Sequence, residues 1–150
     1  MRKYQHLVIL TLAITLIFAV SQAGAQEKGK PVYPVGTIQL ESTSIAAGVG
    51  VTWGKGTFTF EGKSYPISVQ GINVAGVGIS TASATGDVFN LKSPNDIAGV
   101  YAAGAAGIAI AGGAKGMLAR NDKGVVIDLR ASQQGVSLSL GPEGFTIKMK

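Results

Sequence analysis

Apolar and polar positions alternate with a period of two along most of the chain beyond residue 35. In residues 37–41, Ile38 and Leu40 share one side, and in 56–61 Phe58 and Phe60 oppose Thr57, Thr59 and Glu61. Residues 64–70 set Tyr65, Ile67 and Val69 against Ser64, Ser68 and Gln70. The pattern returns at 125–131 (Ile127 and Leu129 against Asp128 and Arg130), at 136–140, and at 145–150, where Phe145, Ile147 and Met149 face away from Thr146, Lys148 and Lys150. Such alternation places one side of a strand on a core and the other toward water. Between these runs lie Gly54-Lys55-Gly56, Glu61-Gly62-Lys63, Asn121-Asp122-Lys123-Gly124, Gln133-Gln134-Gly135 and Gly141-Pro142-Glu143-Gly144. Glycine and asparagine supply the positive φ that tight hairpins need. The spacing predicts an all-β domain: an antiparallel β-meander of about eight or nine strands closing into a small barrel, with a β-sandwich as the alternative.

Three segments complicate this pattern. Pro66 has no amide hydrogen to give a ladder, which predicts an edge strand or a bulge there. Residues 93–98 (SPNDIA) predict a short helical turn. Residues 97–114 (IAGVYAAGAAGIAIAGGA) carry no charge, so strand, packed helix and membrane-inserting segment all compete. Five of these eighteen residues are glycine, and each costs a helix interior about 0.8–1 kcal/mol relative to alanine. A long, strongly bent barrel strand is therefore the preferred reading.

The first residues predict the compartment. Arg2 and Lys3 precede an apolar run over 7–20, and Ala23-Gly24-Ala25 follows. This is the form of a secretion signal, with cleavage before Gln26; the run is short of the roughly 20 residues that a membrane span requires. The expected organisation is a signal peptide over 1–25, a flexible leader over 26–35 with Pro31 and Pro34, and a barrel domain over 36–150. The address predicted is the periplasm, or else the extracellular space. Beyond the signal, eleven basic and eight acidic residues leave a charge of +3 with no basic cluster, which argues against nucleic acid as a partner.

Chemistry is limited by what is missing. His6 is the only histidine, it lies in the signal, and there is no cysteine. The usual general base, soft metal ligands and strong nucleophile are thus lacking. Gly54-Lys55 lacks the spacing of a phosphate loop, and neither Gly48-Val49-Gly50 nor Gly76-Val77-Gly78 completes a dinucleotide fingerprint. Asn121, Asp122 and Asp128 lack calcium-loop spacing and suit a hairpin turn. The domain's carboxylates Glu41, Glu61, Asp87, Asp96, Asp122, Asp128 and Glu143 all fall on polar strand faces or turns. No catalytic residue, cofactor or metal site is predicted, and a carboxylate hydrolase is a minor reading. An outer-membrane barrel is another, because eight aromatics beyond the signal are too few for two girdles. The predicted product is a non-spanning protein. Trp53, Phe58, Phe60, Tyr65, Tyr101 and Ile110 are the candidate contacts for an apolar ligand or partner. Trp53 closes a run over 46–53 beside a glycine turn.

The runs Trp53-Gly54-Lys55-Gly56-Thr57-Phe58, Val69-Gln70-Gly71, Gly76-Val77-Gly78, Val88-Phe89-Asn90-Leu91, Ala98-Gly99-Val100-Tyr101, Gly124-Val125-Val126 and 135–141 (GVSLSLG) carry a family likeness. Over about residues 46–148 the chain resembles the EipA-like exported envelope-integrity proteins, small periplasmic β-barrels that are distantly similar to the SYLF lipid-binding domain. The resemblance implies a non-enzymatic role in the envelope, with lipid or an envelope protein as partner. The chain departs from that family in lacking a helical segment ahead of the barrel, and in its plain alanine and glycine over 102–114.

Overall fold

A computed structural model describes residues 29–42, 54–76, 81–104 and 108–150. The signal segment, the 46–53 run with Trp53, and Gly48-Val49-Gly50 lie outside the described residues. Ten strands are present: β1 (Gly36–Ser42), β2 (Lys55–Phe60), β3 (Lys63–Gln70), β4 (Ile72–Ala75), β5 (Ala82–Phe89), β6 (Gly99–Ala103), β7 (Met117–Arg120), β8 (Val126–Ala131), β9 (Ser137–Leu140) and β10 (Phe145–Met149). Eight of them close an antiparallel barrel in the order β1-β2-β3-β10-β6-β7-β8-β5, with β5 pairing back onto β1. The alternation and the turns thus form the expected small barrel. Neighbours follow chain order within β1–β3 and β6–β8, while β5 and β10 fill the two gaps between these sets.

Inward positions build a filled core. Ile38, Leu40, Phe58, Ile67, Val69, Val88, Tyr101, Ile127, Leu129, Phe145 and Ile147 are all buried. Each large side chain of this kind stabilises the fold by about 1.5–3 kcal/mol. The wall contributed by β5 is made of small residues, with Ala82, Ala84 and Gly86 turned inward, so the rings opposite have room. Between β2 and β3 the chain turns at Glu61 (φ 50°) and Gly62 (φ 76°), the two positive values that a two-residue hairpin demands.

Pro66 is not on an edge. It sits within β3, which pairs with β2 on one side and β10 on the other. Its carbonyl accepts from the Lys150 amide at 3.0 Å, so its nitrogen faces the same way, beyond the last residue of β10. The missing donor falls where the ladder has run out.

The 97–114 segment is not one long strand either. Residues 94–97 form a 3-10 turn, as the sequence predicts, and β6 ends at Ala103. Residues 108–116 then fold back across the outer wall as a strap. The leader meets it there: Val32 donates to the Ala109 carbonyl at 2.8 Å and accepts from Ala111 at 3.0 Å, a parallel bridge with Ile110. Strap and leader cover Phe89, Val126 and Leu118, which form a second, outer apolar cluster.

One end of the barrel is closed by the 3-10 turn, where Ile97 is fully buried. At the other end β4 and β9 form a two-stranded ribbon. Its register continues the β3–β10 ladder after a four-residue insertion: Gln70 pairs with Thr146, and Ile72 with Leu140. The bend tips Ile72 and Val74 onto the core.

Candidate functional site

The six candidate contacts do not converge. Phe58, Phe60 and Tyr65 form one aromatic group, with centroids 6.0 Å apart for Phe58–Phe60 and 5.8 Å for Phe58–Tyr65. Tyr101 stacks instead on Phe145, its cross-strand partner, at 4.9 Å. Ile110 lies outside the barrel, in the outer cluster with Phe89 and Val126. Trp53 is outside the described residues. The rings that the sequence singles out are packed against one another rather than around a ligand space.

Two polar clusters do form, and both were invisible as clusters in the sequence. The first ties the 3-10 turn to the β7–β8 hairpin. Tyr101 Oη donates to the Ile97 carbonyl at 2.7 Å, and Asn121 Nδ2 donates to the Asp96 carbonyl at 2.8 Å and to Tyr101 Oη at 3.3 Å. Asn121 Oδ1 accepts from the Lys123 and Val125 amides at 3.1 and 2.9 Å. Burial pushes the Tyr101 phenol well above the ordinary tyrosine range; the Asn121 hydrogen bond opposes this, and the nearby charges of Asp122 and Asp96 add to it. Asn121 thus supplies the turn chemistry expected of it, and more. It locks the floor of the barrel.

The second cluster corrects an expectation. Asp128 is not solvated: it is 2% exposed, under the strap, on an outward position of β8. Its Oδ2 accepts from the Lys115 amide at 2.9 Å and lies 4.0 Å from Arg130 Nη1, while Oδ1 has no hydrogen-bond partner among the described residues. Asp87 stands directly across the ladder and is held by Arg130 at 3.1 Å. A buried carboxylate requires such partners. Chemically this arrangement clamps the strap; at 2% exposure Asp128 presents nothing for a substrate to reach. The sequence did carry a signal. In Val125-Val126-Ile127-Asp128-Leu129 apolar residues occupy both parities, and an apolar outward position marks a strand covered on both sides.

Two hollows open on the outside. One of about 300 Å³ is lined by Gln39, Glu41, Lys55, Thr57, Pro66 and Lys150. The other, about 460 Å³, lies between β9 and the ends of β7 and β8. No group of three or more His, Cys, Asp or Glu side chains with metal-holding geometry occurs among the described residues. No family model matches the chain, and neither curated proteins nor solved structures give a match.

Proposed function

We propose that this chain is exported to the cell envelope and acts there as a structural or binding protein, through its outer surface rather than through an enclosed site. The observation that carries this reading is the filled interior: Phe58, Tyr101, Val69 and Val88 each have 0% exposure. Small barrels filled by side chains act as scaffolds, whereas carriers of the same architecture keep a cavity. Export rests on the Arg2-Lys3, apolar-run and Ala-Gly-Ala pattern. A non-spanning barrel is supported by the outward residues of β1–β3 and β10, which include Thr37, Gln39, Thr57, Ser68, Gln70 and Lys148; a lipid-facing wall is apolar. A non-enzymatic role is supported by the burial of Asp128 and the pairing of Asp87 with Arg130. The likeness to envelope-integrity proteins points the same way.

The test is native mass spectrometry of the protein recovered from the periplasmic fraction of an expressing bacterium. The expected species begins at Gln26 and carries no stoichiometric adduct. A bound lipid would move the reading to an apolar-ligand carrier, and retention of residues 1–25 in the cytoplasm would remove the envelope from it.

A further inference from the structure

We propose that the open edge of β9 is a docking site for an extended, acidic segment of a partner protein, which adds to the β4–β9 ribbon as a third strand. The proposal rests on the surface-binding reading above and names the surface. Every strand of the barrel has two neighbours, but among the described residues β4 and β9 have only each other. An unpaired edge presents backbone donors and acceptors that template another strand, and native proteins blunt such edges with lysine, proline or a bulge. Ser137-Leu138-Ser139-Leu140 has neither charge nor proline. The edge is unguarded.

The 460 Å³ hollow shows which side is open. Val136 and Leu138 line it together with Met117, Leu129 and Ala131 from β7 and β8, and no residue of β4 does. It therefore runs along the edge of β9 that β4 leaves free. An incoming strand finds backbone partners on β9 and an apolar floor for alternate side chains, the two components of strand addition.

Charge selects the occupant. Lys115 and Arg130 flank the hollow. Lys115 is exposed and has no carboxylate within 4.0 Å among the described residues. A second copy docked edge to edge about a two-fold axis would bring these cations toward their own images, which is repulsive. An acyl chain would fill the floor but leave the β9 amides and carbonyls without partners. An acidic strand satisfies both.

The experiment titrates the isotope-labelled protein, from Gln26 onward, with an acetylated hexapeptide of alternating valine and threonine closed by two aspartates, followed by amide NMR. The expected result is saturable shifts confined to residues 115–117, 129–131 and 136–140. Lys115→Glu, a surface change, should weaken binding at least tenfold, as should replacing the two aspartates by lysines. Absence of shifts at millimolar peptide, shifts elsewhere, or equal binding by the Lys115→Glu protein would overturn the proposal. So would concentration-dependent broadening of β9 without peptide, or displacement of the peptide by oleate. Failure here leaves the adduct-free mass spectrum unchanged, so the two readings fall separately.

Discussion

Asn121 uses all four hydrogen-bonding positions of its amide group, two as donor and two as acceptor, and every partner but one is backbone. Asn121→Ala leaves the buried Val125 amide and the Asp96 carbonyl without partners. The expected loss is about 2–4 kcal/mol of unfolding free energy in urea, and a loss below about 0.5 kcal/mol would show that water replaces the amide. Tyr101 makes a prediction in pH. Its folded phenol holds the proton where the unfolded phenol, titrating near 10, has released it. The stabilisation is complete below about pH 10 and falls above it by up to about 1.4 kcal/mol per unit. Tyr101→Phe loses the bond to Ile97 and is less stable at neutral pH, but it lacks this alkaline decline. The gap between the two proteins should therefore narrow above about pH 10; a constant gap in urea titrations would contradict the argument. At this scale the sequence was informative about Asn121 as a turn residue and silent about its link to Asp96, 25 positions away.

Among the elements, the bend from β3–β10 into β4–β9 depends on two glycines. Gly71 (φ 99°) and Gly144 (φ 72°) occupy backbone regions that side chains resist. A Cβ on Gly71 would lie 2.7 Å from the Gly144 carbonyl oxygen, and one on Gly144 would collide with the Tyr101 carbonyl. Gly144→Ala is expected to cost about 2–4 kcal/mol. Gly54→Ala, where no atom lies within 4 Å, should change stability by less than about 0.5 kcal/mol. Equal thermal midpoints for the two variants would refute the account. The 141–144 turn was legible as a turn; that it inserts four residues into one strand of a continuing ladder was not. β2, β3 and β10 declare themselves because large apolar residues alternate with hydroxyls and lysines. β5 is less conspicuous: Ala82, Ala84 and Gly86 face the core, and a strand chosen for small volume carries little hydrophobic contrast.

In the molecule as a whole, residues 102–116 mark the boundary of local inference. Their alanines and glycines read as a bent strand because no charge interrupts them. The strap lies instead on an apolar outer wall and is fastened by the Val32 bridge and by the Asp128–Lys115 hydrogen bond. Wall, bridge and clamp come from three distant parts of the chain. The sequence by itself determined that the domain is β, where its tight turns fall, which large side chains point inward, and that histidine and cysteine chemistry is absent beyond the signal. These properties follow from side-chain period, turn dihedrals and composition, all of which are local. Only the tertiary structure decided that β5 closes onto β1 and β10 enters between β3 and β6. It also decided that Asp128 is buried and that β9 keeps a free edge. Strand partners are chosen by hydrogen bonds and complementary volumes between residues far apart in the chain, and no periodicity along one strand specifies the strand beside it.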